Sequence, residues 1–381
     1  MGQFCACGRS EEFRARGSDG MLAKRRNEIQ WLRALAASEV VICHSDLIVK
    51  HFSDDRLGLH SWYQALGGVG VELFFIVSGY IMCMRAPAVG SYVGFIVSRI
   101  TRIYPAYWFF TTIAVLVGLV MPAWRLGGFD GDTSELIRSY LILPGWGFPI
   151  LGVGWTLEYE MIFYVIVTLA MAIGLARGRY SAGLAFVLAG LGFVGCLLGQ
   201  RTSGSALQFH VFSPYMFAFG VGWLIRSIEQ ARPRWQIAGI ATYAAIALAA
   251  YLAGSEFGDR LVFRISVASI VFGLFIVAQG IFQRDNAINR AVWLVGDASF
   301  SLYLSHWFVL SASGKLLGFI GFPAELAWPM RIAGFLLCVA VGIAFFRYLE
   351  KPLDRRLRLH EGARSVRTPR PQQVMGTVPG R

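Results

Sequence analysis

Apolar runs of about twenty residues, separated by short polar or basic segments, recur along the whole chain. A run of that length, at 1.5 Å per helical residue, is what a helix needs to cross the hydrocarbon core of a bilayer. The pattern predicts about ten such helices, at residues 29–49, 67–84, 103–121, 151–174, 181–199, 209–227, 235–254, 261–282, 298–318 and 329–349. The expected fold is therefore an all-α polytopic membrane protein. It has a basic N-terminal tail (1–27), a membrane domain (28–353) and a basic C-terminal tail (354–381) that is expected to be disordered at its end. No soluble domain interrupts the runs. The longest outer connection, Pro122 to Ile150, is rich in Gly, Pro and Trp, and no internal repeat is visible.

Composition agrees with this pattern. Of 381 residues, 56% are hydrophobic and only 15% charged, against about 25% charged in soluble domains, and the mean hydropathy is +0.55. The net charge of +12 points to loop sidedness, not to a nucleic-acid partner. Lys and Arg concentrate in cytoplasmic loops, and with the N-terminus inside, roughly three quarters of them fall on the inner side. Both termini are thus expected in the cytoplasm. The first 28 residues are polar and basic, so no cleavable signal peptide is expected, and Met21 is an alternative start. The six Cys form no disulfide framework. Cys43, Cys83, Cys196 and Cys338 fall in or beside apolar runs, and Cys5 and Cys7 lie in the tail with no His nearby to complete a metal site. No metal-ligand spacing, nucleophile elbow or phosphate loop occurs.

Candidate chemistry lies where ionisable residues interrupt the apolar runs, because charge inside a span is costly and marks function by default. The first run, IQWLRALAASEVVICHSD, carries Arg33, Glu39 and His44. Arg33 and His44 are eleven positions apart, so they share a helix face and sit about 16 Å apart along the axis. An imidazole held in this way suits proton chemistry, and two side chains snorkelling to opposite surfaces is the alternative. The second run, GVGVELFFIVSGYIM, places Glu72 near its outer end and Ser78-Gly79 near its middle. In SRITRIYPAYW, Arg99 and Arg102 share a face at the inner mouth of the third span, suited to phosphate or to simple inside charge. In GVGWTLEYEMIFY, Glu160 and Tyr164 point the same way. Glu158 is rotated off that face, and a structural salt bridge from these two carboxylates to Arg33 or Arg138 is the alternative. Late in the chain, GDASFSLYLSHW buries His306, read as an interior histidine satisfied by hydrogen bonds. Glu350 and Lys351-Pro352 are expected to close the last span.

Together these stretches resemble the acyltransferase-3 family of integral membrane acyltransferases, and within it the bacterial exopolysaccharide O-acetyltransferases. The resemblance covers about residues 27–357. It is carried by Arg33 and His44 with ten residues between them, by Phe74-Phe75 with Ser78-Gly79-Tyr80, by Arg99 and Arg102, and by Trp155, Glu160, Phe163 and Tyr164. SLYLSH and Glu350-Lys351-Pro352-Leu353 complete it. Glu158 stands where such enzymes usually carry Asn or Ser, and Glu39 is an additional carboxylate. The resemblance implies a multi-pass protein of the bacterial cytoplasmic (inner) membrane. It would move an acyl group, acetyl being expected, from cytoplasmic acyl-CoA to a hydroxyl of an exopolysaccharide or another extracytoplasmic or lipid-linked glycan. It implies His44 as the catalytic base with Arg33 assisting and Glu160 ordering the site. Arg99 and Arg102 would hold the CoA phosphates, with Glu72, Ser78, Trp155, Tyr164 and His306 in support. No covalent cofactor is implied. Acylation of a small molecule such as a macrolide, or a transporter whose charges line a pathway, are the other readings.

Overall fold

The computed structural model of the chain describes residues 26–52, 69–121, 131–176, 181–198, 204–229 and 256–357. Among the described residues it is all helical, with fourteen α-helices. In order these are α1 (Asn27–Cys43), α2 (Asp46–Val49), α3 (Val69–Val89), α4 (Tyr92–Val120), α5 (Thr133–Tyr140), α6 (Trp155–Ala172), α7 (Ser181–Leu198), α8 (Ala206–Val211), α9 (Tyr215–Glu229), α10 (Glu256–Val277), α11 (Gln279–Phe282), α12 (Ala287–Asp297), α13 (Ser299–Phe319) and α14 (Ala327–Phe345). Among the described residues, four helical segments are long and apolar enough to cross a membrane: Val69–Val89, Tyr92–Val120, Gly152–Ala172 and Ala324–Leu357. Large apolar side chains such as Val120, Ile173, Val277 and Phe319 are left on the outer surface. Water would penalise such a surface and lipid would not. The protein is a helical membrane protein.

Several expected spans are interrupted, each for a local reason. The run at 29–49 breaks at His44-Ser45, giving α1 and the short α2, since Ser and Asp compete for backbone hydrogen bonds and favour helix ends. The run at 209–227 breaks between α8 and α9, where Pro214 supplies no N–H and disfavours helical geometry at Ser213. A capping box of Ser205 and Gln208 starts α8. The third span begins at Tyr92, eleven residues earlier than expected, because Ser91 caps it by accepting from the Gly94 N–H. Residues 283–297, expected as a loop, contain α12, which Asn286 caps and which packs along α1. The outer connection contains α5, capped by Asp132. The last helix does not close at Lys351-Pro352: it passes through a π-helical turn at Phe346–Glu350 and stays helical to Leu357. The run at 235–254 and Cys5, Cys7 and Met21 lie outside the described residues.

Helix α3 lies at the centre, packed on α9, α1 and α10. Its crossing with α9 leaves no room for side chains: a Cβ at Gly79 would overlap the Phe219 carbonyl, and one at Gly222 would overlap the Ile76 carbonyl. Two small residues facing each other are how membrane helices bring their backbones together. The apolar core around this crossing includes Leu32, Leu73, Ile76, Tyr80, Phe163, Phe219 and Trp223, all fully buried. Where α1 starts, polar contacts tie the helices together. The Arg26 guanidinium pairs with Glu28 and lies 3.3 Å from Glu229, and the Tyr80 hydroxyl donates to Glu229 at 2.7 Å.

Candidate active site

The central crossing opens on one side into a cavity of about 200 Å³ between α1, α3, α4, α6 and α13. Six of the side chains expected in the site line it: Arg33, Ser78, Arg99, Arg102, Glu160 and Tyr164. They come from four separate stretches of sequence, and the helix crossings bring them to one space. Arg85 joins them, so four guanidiniums face a single carboxylate within the lining. Such a cavity favours an anionic ligand.

The carboxylate is tightly held. Glu160 accepts from the Ser78 hydroxyl at 3.1 Å and from the Tyr164 hydroxyl through a short hydrogen bond. Ser78 comes from α3, while Glu160 and Tyr164 are one turn apart on α6, so the Ser-Gly stretch and the Trp-x-x-x-x-Glu stretch meet at one group. The arginines are held differently from one another. Arg102 pairs with Glu350 at 2.5 Å, and Glu350 also accepts from Ser301 at 2.6 Å. This joins α4, α13 and the π-helical turn. Arg99 contacts Ser98 at 3.3 Å and Arg33 contacts Gln30 at 3.5 Å. Among the described residues neither has a carboxylate within 4 Å. These two guanidiniums therefore retain donors for a ligand, whereas Arg102 also has a structural role.

His44 stands apart from the cavity lining, at the break after α1. Its ring lies 5.1 Å from the His306 ring and 5.1 Å from the Trp307 ring, and His44 Nδ1 is 3.1 Å from His306 Nε2. His306 is fully buried, and its Nδ1 is 2.6 Å from the Tyr303 carbonyl. Tyr303 connects the two regions. It lines the cavity, its ring is 5.8 Å from that of His306, and its hydroxyl donates to the Val153 carbonyl at 2.7 Å. Phe74, another lining residue, packs on Tyr303 with ring centroids 6.0 Å apart.

Three expected residues lie outside this arrangement. Of the two carboxylates Glu158 and Glu160, it is Glu158 that pairs with Arg138, at 3.0 Å, one of the two arginines anticipated, and it adds His210 at 2.9 Å and the Gly145 N–H at 3.3 Å. It anchors α5 and α8 to α6. Trp155 packs on Tyr159 and Tyr215 and not on the cavity. Glu72 is fully buried, with Arg264 Nε 3.2 Å away, yet neither of its oxygens has an aligned hydrogen bond among the described residues. Sequence reasoning named neither Arg264, Thr156 nor Tyr303 for the site and counted Arg85 only as inside charge. The spacing of SLYLSH carried the only available signal, since it puts Tyr303 and His306 three residues apart on one face.

Apolar helices, an arginine-rich cavity and a pair of histidines, one buried and one half-buried, describe a membrane protein with a site for an anionic ligand. Comparison with known proteins identifies its class. The family profile described as "Acyltransferase domain" matches residues 26–347, and the chain belongs to this acyltransferase-3 family. It is an acyltransferase, which decides between the enzyme and the transporter readings. The exopolysaccharide production protein ExoZ of Rhizobium meliloti (strain 1021) is 28% identical over 77% of this chain and 91% of its own length. The acyltransferase MdmB of Streptomyces mycarofaciens is 25% identical over 83% and 86%, respectively. An O-acetyl transferase of Shigella phage Sf6 is 24% identical over 50% and 59%. No solved structure matches the chain.

Proposed function

We propose that the protein moves an acyl group, acetyl in the first instance, from acyl-CoA bound on the cytoplasmic side to a hydroxyl of an exopolysaccharide or another extracytoplasmic or lipid-linked glycan. Its place is the bacterial inner membrane, with about ten spans and both termini inside. One observation carries the reading: four arginines converge with Glu160 in a single cavity whose lining includes Tyr303, the ring neighbour of His306. The likeness to proteins named for exopolysaccharide production and O-acetyl transfer supports the acceptor class.

In this reading the donor's phosphates lie against Arg99, Arg33 and Arg85, as guanidinium groups favour. The thioester arm spans the roughly 16 Å from Arg33 toward His44. His44 takes the proton from the acceptor hydroxyl. The hydroxyl oxygen attacks the thioester carbonyl, a C–O bond forms as the C–S bond breaks, and the proton passes to the leaving thiolate to give free CoA. Glu160, fixed by Ser78 and Tyr164, orders the cavity side of the site and offsets part of the arginines' mutual repulsion. Transfer of labelled acetyl from acetyl-CoA to an oligosaccharide by purified protein in bilayer discs tests the reading. A purified, folded protein that neither binds acetyl-CoA nor transfers its acetyl group would refute it.

A further inference from the structure

We infer that His306 is a positioning residue that sets the tautomer of His44, so that the nitrogen His44 offers to the substrate is the bare one. The inference rests on reading His44 as the base. The wiring follows from what each atom is able to do. The Tyr303 carbonyl only accepts, so His306 Nδ1, 2.6 Å away, carries a hydrogen. His306 is fully buried, and among the described residues no carboxylate lies within 4 Å of its ring nitrogens. An imidazolium at His306 would be a buried charge without a counter-ion. The ring is therefore neutral, its one hydrogen is on Nδ1, and its Nε2 is an acceptor. His44 Nδ1, 3.1 Å from that acceptor, must be the donor. The single hydrogen of a neutral His44 is then on Nδ1, leaving Nε2 with a free lone pair. The reverse tautomer would present an N–H to the acceptor hydroxyl and could take no proton.

The same bond acts after proton transfer. When His44 becomes an imidazolium, its Nδ1–H still points at His306 Nε2, and the bond becomes charge-assisted and stronger. His306 stabilises the charge without taking the proton. The arrangement is held rigidly. His306 sits mid-helix in α13, with Cys338 Sγ 3.9 Å from its carbonyl, and Trp307 meets the His44 ring edge-on.

The test compares His306→Leu, which removes the acceptor, with His306→Gln, whose Oε1 reaches the place of the lost Nε2. Leu should lower kcat about ten- to a hundred-fold, a part of what a positioned base supplies, and leave the KM for acetyl-CoA unchanged. Gln should recover most of the loss. Solid-state 15N NMR of histidine-labelled wild type, assigned with His44→Gln and His306→Gln, should show Nδ1–H on both rings. Wild-type kcat in the Leu variant, equal losses in Leu and Gln, or a hydrogen on His306 Nε2 would each overturn the inference. A wild type that transfers no acetyl would instead defeat the proposed function, and the NMR pattern would still decide the wiring.

Discussion

Replacing Arg99 separates its role as a ligand contact from its role as loop charge. Arg99 lines the cavity and, among the described residues, has no carboxylate partner, whereas Arg102 is bound to Glu350. A donor phosphate held by a guanidinium fork makes charge-assisted bonds contributing about 1.5–3 kcal/mol each. Lys keeps the charge and loses the fork, so Arg99→Lys should raise the KM for acetyl-CoA about tenfold. Arg99→Ala should raise it up to about a hundred-fold. Because the positive-inside rule counts Lys and Arg alike, topology mapped by cysteine accessibility should be unchanged in the Lys variant. Arg102→Lys should behave differently, losing thermal stability as well as affinity, since it breaks the contact joining α4 to the π-helical turn. The assay is an acetyl-CoA titration of purified variants in bilayer discs. An unchanged KM in a correctly inserted Arg99→Lys protein would return this arginine to topology and remove the main support for donor binding in the cavity.

Glu160→Gln should lower kcat about ten- to a hundred-fold through loss of charge-assisted bonds. It should not raise the donor KM, because the cavity becomes more positive, and steady-state kinetics would read both parameters. Glu158→Gln should leave the kinetics near wild type and lower the melting temperature, since Arg138 loses a buried counter-ion and His210 a contact at 2.9 Å; scanning fluorimetry in detergent checks this. Gly79→Ala should destabilise the protein by about 1–3 kcal/mol, because the added methyl meets the Phe219 carbonyl. A normal yield and melting temperature for this variant would contradict the α3–α9 packing.

Much of this arrangement was legible in the sequence, for physical reasons. Helix-length apolar runs gave α3, α6, α7 and α13 to within a few residues, because lipid imposes a length on them. The one-face pairs Arg99/Arg102 and Glu160/Tyr164 could be read from 3.6-residue periodicity, and both pairs line the cavity. Interruptions were harder to see. The breaks at His44-Ser45 and Ser213-Pro214 fall inside runs that stay apolar, so hydropathy passes over them, and only Ser, Asp and Pro mark them. Amphipathic α12 was missed because it is short and polar on one side. Pairings across the bundle, such as Glu160 with Ser78, Arg102 with Glu350 and His44 with His306, lie 82 or more residues apart in sequence. No spacing rule reaches that far. Glu158 was separated from Glu160 by helix rotation and by the family pattern, and Arg138 was among the partners expected for the two carboxylates. Nothing in the sequence indicated His210.

The central claim is that His44 performs the proton transfer while the arginine cavity holds the donor, and one measurement tests both. Purified wild type and His44→Ala, reconstituted in bilayer discs, are given labelled acetyl-CoA with an oligosaccharide acceptor, and transfer and donor binding are followed on the same samples. The variant should bind acetyl-CoA as tightly as wild type and transfer acetyl at least about a hundred-fold more slowly. Transfer at the wild-type rate would remove His44 from the reaction, and loss of donor binding together with transfer would contradict the division of labour between the cavity and the histidine pair.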